Sequence, residues 1–269
     1  MDRSYWRKQD PNTPLFPDLI WSRPEHKAQA GKLLIVGGHV QSFAAVASAY
    51  SAASDARIGV ARVMLPDVLQ KTLKNIFIGG EYLTSTPSGS IARLALEQAL
   101  ASAEWADGVL LAGDFGRNSE TAIFLEQLVR NYKGPLAITK DGMDYFSAQP
   151  EVLLHRENTL LIVSLAQLQK IASSAHWTNP FTFNMNLLQL VDGLHNFTES
   201  YKAMVVIKHL DNIFVSSRGE VTSTKLRSER PVWRVETAAK AITWWLQNQT
   251  KPIESITTSL LDDQIINDL

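Results

Sequence analysis

Short unbroken apolar runs alternate along the chain with stretches whose apolar residues recur at helical spacing. The runs at 32–38, 60–65, 108–112, 136–139 and 159–163 predict buried strands, most of them bounded by glycine or proline. Between them, 44–56, rich in alanine and serine, and 67–76, 91–99, 119–132 and 165–172 predict helices. Asp67 is placed to cap the second of these, and the fourth is expected to bury Ile123, Leu125, Leu128 and Val129 before Gly134 and Pro135 end it. Residues 79–89 read as a loop and 184–197 as a further helix. The runs 204–207 and 212–215 bracket 208–211, a spacing that suits two strands joined by a tight turn. From Thr237 through Trp244, Trp245 and Leu246 the pattern is helical again, and the tryptophan pair is expected in the core or an interface.

Strands alternating with helices argue an α/β fold. The expected form is a doubly wound, mainly parallel central sheet with helices on both faces and a hairpin near 204–217. Residues 33–36, 109–111 and 137–138 are expected to be its neighbouring central strands. A chain of 269 residues accommodates one such domain over 31–269. Residues 1–30 stand apart: Pro11, Pro14, Pro17 and Pro24 oppose a continuous helix, while Trp6, Phe16 and Trp21 need a surface to pack on. They predict an extended arm lying on the domain or on a neighbouring subunit, the second giving a homo-oligomer.

Composition narrows the partners. With 45% hydrophobic and 20% charged residues and a net charge of −1, the chain is a globular type with no electrostatic bias toward nucleic acid or anionic lipid. No apolar run approaches a membrane span and the first residues lack the apolar core of a secretion signal, so a cytoplasmic protein is expected. The chain has no cysteine, which removes thiolate chemistry, and its six histidines include no close pair that would share a helix face and hold a transition metal.

Candidate chemistry centres on 107–117, Asp-Gly-Val-Leu-Leu-Ala-Gly-Asp-Phe-Gly-Arg, a buried strand that breaks at Gly113 and feeds a helix beginning near Ser119 through Gly116. Ligands collect beyond the carboxyl ends of parallel strands, and turn glycines let backbone N–H groups approach an anion that a helix N-terminus also attracts. Ordinary βα-turn glycines read the same way.

Laid in this order, residues 23–249 resemble the NAD(P)H-hydrate dehydratase family, an ATP- or ADP-dependent group with the ribokinase-like fold. Arg23, His26, Lys27, Gly31 and 33–38 are similar to the family's Arg-Pro-x-x-His-Lys-Gly segment and first strand with its Gly-Gly-Ser turn, His39 replacing the serine. Ala44 and Ala45 stand at its Gly-Ala helix start, and 56–61 at its Ala-Gly-x-Gly-Leu-Val motif. Of the Gly-Pro-Gly-Leu-Gly-Arg loop, which falls on 112–117, Gly116 and Arg117 match. Asp141 keeps the second aspartate of Asp-Ala-Asp-Ala-Leu-Asn, while Val163, Ser164 and Leu165 replace Thr-Pro-His, whose histidine touches the hydrated nucleotide in the family. Lys208 is retained from Lys-Gly-Ala, followed by His209 and Leu210.

The largest departure is C-terminal. The family's Gly-Gly-Ser-Gly-Asp loop supplies an N–H anion hole and a catalytic aspartate; here Trp233, Arg234 and Val235 stand at Gly-Ser-Gly and Glu236 at the aspartate. A bulky and a β-branched residue oppose the positive φ that such a nest requires. Glu236 is also one methylene longer, and displacing a catalytic group by about 1 Å can cost roughly 10²-fold in rate.

The resemblance implies Glu236 as the catalytic base, Gly38, Ala45, Gly116, Lys208 and Arg234 as nucleotide contacts, and Asp141 holding Mg²⁺ through water, with ATP or ADP and hydrated nicotinamide nucleotide as ligands. Gly38, Ala45, Gly116, Asp141, Lys208 and Glu236 are then expected to share one crevice. The residues alone also allow Glu236 as a carboxylate favouring a helix dipole, Arg234 as a surface arginine and Asp141 as a loop cap. Three functions stand: a divergent lyase that couples nucleotide hydrolysis to removal of water from a damaged cofactor, a non-catalytic nucleotide- or protein-binding relative, and a ribokinase-like small-molecule kinase.

Overall fold

The computed structural model describes residues 3–226 and 233–261. The arm contributes β1 (Trp6–Gln9) and a single turn, α1 (Asp18–Trp21). β2 (Lys32–Gly37), α2 (Ala44–Asp55), β3 (Val60–Pro66), α3 (Gln70–Leu73), β4 (Glu81–Leu83) and α4 (Leu96–Trp105) follow. Next come β5 (Gly108–Gly113), α5 (Ser119–Asn131), β6 (Leu136–Thr139), α6 (Glu151–Leu154), β7 (Thr159–Val163) and α7 (Leu165–Ser174). The chain continues through α8 (Leu187–Ser200), β8 (Met204–His209), β9 (Asn212–Ser217), β10 (Glu220–Lys225), α9 (Trp233–Gln247) and α10 (Pro252–Thr258).

Among the described residues the ten strands form one sheet, in the order β1-β10-β9-β8-β7-β6-β5-β2-β3-β4. The run from β8 to β4 is parallel throughout, and only the β8–β9 and β9–β10 pairs are antiparallel. β2, β5 and β6 are neighbours, as expected for the three central runs. From β2 the chain winds outward through β3 and β4, then returns to the other side of β2 with β5 and proceeds to β8. The reversal lies between β2 and β5, and a crevice opens beyond the carboxyl ends of strands at such a point.

Alternation along the strands divides the core. Leu34, Val36, Val109 and Leu111 face α4, α5, α7 and α8, while Leu33, Ile35, Leu110 and Ala112 face α2 and α9. Trp245 packs in the second layer, and Trp244 joins Leu19 of the arm and Leu261 in a small third cluster. Gly37 is required where β2 meets β5, since an added Cβ would lie 2.4 Å from the Gly113 carbonyl oxygen. That approach lets the Gly38 amide donate to the same oxygen at 3.0 Å.

Several local expectations are corrected. Residues 79–89 contain the edge strand β4, and 67–76 supply only a 3-10 turn at Asp67–Leu69 and the single turn of α3. The Asp67 carboxylate accepts from the Ser85 amide and hydroxyl instead of capping a helix. Ile123 is 41% exposed, because Thr121, Phe124, Leu125 and Leu128 take the inward face of α5. Residues 91–99 begin with a 3-10 turn at Arg93–Ala95 that leaves Leu94 outside, and α4 starts only at Leu96. The hairpin strands are longer than expected and turn at Leu210 and Asp211, with Leu210 at φ 51°. The arm is not wholly extended: it carries α1 besides β1.

Candidate functional site

The β5–α5 connection, 113–118, leaves the carboxyl end of β5 and is held by Asp141. Asp141 follows β6, and its two carboxylate oxygens accept the amides of Asp114 at 2.7 Å and Phe115 at 2.8 Å. The anion on this glycine turn is therefore the chain's own. Burial raises the Asp141 carboxyl above its ordinary range against the lowering effect of those two amides. Tyr145 completes the anchorage: its hydroxyl donates to the Gly116 carbonyl at 2.7 Å and accepts from the Asn118 amide at 3.3 Å. Asn118 then caps α5, accepting from the Glu120 amide. Gly116 has φ 74°, and a Cβ there would come within 2.8 Å of the His39 ring.

Asp114 ties this loop to α2. One carboxylate oxygen accepts the Ala45 amide and the Ser42 hydroxyl, both at 2.8 Å, and the other accepts Lys140 Nζ at 2.6 Å. Burial pushes this carboxyl up, but the bonds from Lys140, Ala45 and Ser42 outweigh it and hold the group below its ordinary value. Asp114 and Lys140 are both left-handed, at φ 59° and 51°, a conformation that costs roughly 1–3 kcal/mol for such residues and persists where neighbours over-determine it.

The network extends to α9. Arg234 Nη1 donates to Gln167 Oε1 at 2.9 Å, and Gln167 Nε2 donates to the Lys140 carbonyl at 2.8 Å and to Asp144 Oδ1 at 3.1 Å. Gln167 is held by a capping box with Ser164 at the start of α7. At its other end α9 sets Leu246 against Gly108, the first residue of β5, so its amino end points to the carboxyl ends of the strands. Lys208 stands at the carboxyl end of β8, and alternation from Val206 places it on the α9 face.

Gly38, Ala45, Gly116 and Asp141 thus meet around Asp114, with Arg234 joined through Gln167. The Gly38 and Ala45 amides are already spent on Gly113 and Asp114. Lys208 borders this end of the sheet from β8. Glu236 is half-buried in the first turn of α9, with no hydrogen-bond partner among the described residues. Sequence reasoning missed Asp114, Lys140, Ser42, Tyr145 and Gln167 as organisers. The available signal was the polar pair Lys140 and Asp141 directly after a buried strand.

The described residues form no direct Mg²⁺ cage. Asp114 and Asp141 are engaged as described, and no group of three His, Asp or Glu among the described residues could hold a metal ion. No helix among them is long and apolar enough to cross a membrane.

No protein-family model matches the chain. The bifunctional NAD(P)H-hydrate repair enzyme of Salinibacter ruber is 28% identical over 145 residues, which are 53% of this chain and 24% of that enzyme. The chain therefore matches about a quarter of the length of this curated relative. Among solved structures, a ribokinase-like superfamily protein of Enterococcus faecalis aligns over 97% of this chain and 86% of its own, with a TM-score of 0.74 at 14% identity. The ADP/ATP-dependent NAD(P)H-hydrate dehydratase of Bacillus subtilis, co-crystallised with ATP/Mg²⁺, aligns over 93% and 86%, with a TM-score of 0.65 at 11% identity. A doubly wound sheet reversing between β2 and β5, matched over nearly its whole length by these structures, gives this chain the ribokinase-like α/β fold that the dehydratase also has.

Proposed function

We propose that the chain is a divergent relative of the ADP/ATP-dependent NAD(P)H-hydrate dehydratases that retains a nucleotide-binding crevice and has very low or no turnover. Lys208, Arg234 and the amino end of α9 form the phosphate side of that crevice, where a helix dipole favours negative charge. The observation that carries the reading is the lack of glycine after Gly219. The segment that opens α9 therefore supplies no glycine anion hole of its own, and Trp233, Arg234 and Val235 lie in its first turn.

Phosphoryl transfer or hydrolysis depends on donors aimed in advance at the terminal phosphate oxygens, and losing one such donor costs about 10² to 10³ in rate. Replacing a whole loop removes several. Leu165, in place of the family's histidine, independently weakens the contact to the hydrated nucleotide. The same losses disfavour a small-molecule kinase. The test is purified protein incubated with ATP or ADP, Mg²⁺ and hydrated NADH while NADH absorbance is followed. Turnover at background level is expected; robust turnover abolished by Glu236→Gln would overturn the reading.

A further inference from the structure

We infer that Asp114 is a specificity-determining residue: it bars phosphate or carboxylate groups of a ligand from the α2 side of the crevice and directs them to the α9 side. The assignment of the ligand as a nucleotide rests on the reading above; the exclusion itself rests on how Asp114 is held. Five donors that could receive an anion on this side are occupied by the chain's own carboxylates. The Ala45 amide, the Ser42 hydroxyl and the Lys140 ammonium all go to Asp114, and the Asp114 and Phe115 amides go to Asp141.

The Asp114 side chain is only 10% exposed, and Lys140, at 31%, faces the crevice already neutralised. Two carboxylates against one ammonium leave the cluster negative. An incoming phosphate must displace a carboxylate tethered in place, which acts at an effective concentration a free ligand does not reach, or be repelled by it. Toward α9, Arg234 spends one N–H on Gln167, and Lys208 has no carboxylate within ion-pair distance among the described residues.

The experiment titrates ¹⁵N-labelled wild type, Asp114→Asn and Asp114→Ala with inorganic pyrophosphate and separately with ADP, following the Ala45 amide resonance and the binding heat. In wild type, pyrophosphate is expected to leave the Ala45 amide unmoved. Asp114→Ala is expected to bind pyrophosphate about tenfold tighter or more, with a shift at Ala45, since charge-assisted donors are freed. Adding Lys140→Met should remove that gain. Asp114→Asn keeps an acceptor for the loop while losing the charge, and its gain should be smaller but in the same direction.

Pyrophosphate shifting the Ala45 amide of wild type, or no gain in the folded Asp114 variants, overturns the inference. ADP failing to bind any form would sink the nucleotide reading alone, because the pyrophosphate series does not depend on it.

Discussion

Arg156 lies under the amino ends of β6 and β7, with no carboxylate partner among the described residues. Its guanidinium donates to the carbonyls of Val129, Tyr132, Gly134, Glu157 and Asn158 and to the Thr159 hydroxyl, at 2.7–3.3 Å. Burial pushes the guanidinium down to about 10, and pushes the neighbouring Tyr132 hydroxyl up to about 12. Arg156→Met is expected to leave the part-buried carbonyls of Val129, Tyr132 and Gly134 without this donor and to cost about 3 kcal/mol, at roughly 1–3 kcal/mol for each unsatisfied group. Arg156→Lys should recover little of this, because an ammonium cannot reproduce the planar fork. Urea unfolding checks both, as a fall in midpoint at unchanged slope. Nothing at the residue scale in the sequence marks Arg156, because a lone arginine among polar neighbours reads as surface. Asp141 was legible as an acid just past a strand and as a loop cap; which loop it holds is visible only once the Asp114 and Phe115 amides are brought to it.

At the scale of elements, the arm is the part whose attachment can be tested. β1 pairs parallel with β10, and ahead of it Arg3 grips Asp192 of α8 through two bonds of 2.7 and 2.8 Å. Tyr5 stacks on His195 with ring centroids 3.7 Å apart and donates to Asp192 at 2.5 Å. The hydrogen bond from Arg3 leads in holding the Asp192 carboxyl at about 2, below its ordinary 3.8. Since the folded value is depressed, the stabilisation is present above about 3.8 and is lost as pH falls toward about 2. Asp192→Asn should therefore lower Tm at neutral pH and flatten its dependence on pH across that window; parallel Tm curves for the two proteins would contradict this. β10 itself was not foreseen. Its sequence Glu-Val-Thr-Ser-Thr-Lys looks like a polar loop, yet Thr222 and Thr224 are buried because the arm and α10 cover them, with Gln9 donating to Thr224 and to the Thr257 carbonyl.

For the whole molecule, the sheet gathers residues far apart in sequence at one end of its strands: Gly38, Gly116 and Asp141 follow carboxyl ends of strands, Lys208 stands at the end of β8 and Arg234 opens α9. If that end binds a nucleotide, ADP must stabilise the folded state, by about 2.7 kcal/mol at a concentration one hundred times Kd. The expected outcome is a rise of several degrees in Tm with saturating ADP, reduced in Arg234→Ala if the guanidinium offsets part of the phosphate's negative charge. An equal rise in the variant would remove Arg234 from the binding side.

The sequence by itself determined the α/β class, the central strands and which residues stand at the positions of the motifs it resembles. Buried parallel strands must be short apolar runs, and Trp233, Arg234, Val235 and Glu236 are legible as they stand. Tertiary structure decided what the remaining polar groups do. Asp114 could have faced a ligand or the protein, and only the approach of β2 to β5 at Gly37 and the start of α2 at Ala44 bring Ser42, Ala45 and Lys140 within reach of its carboxylate. Apolar pattern is a local property of the chain, whereas the partner of a charge depends on which distant segments the sheet places beside it.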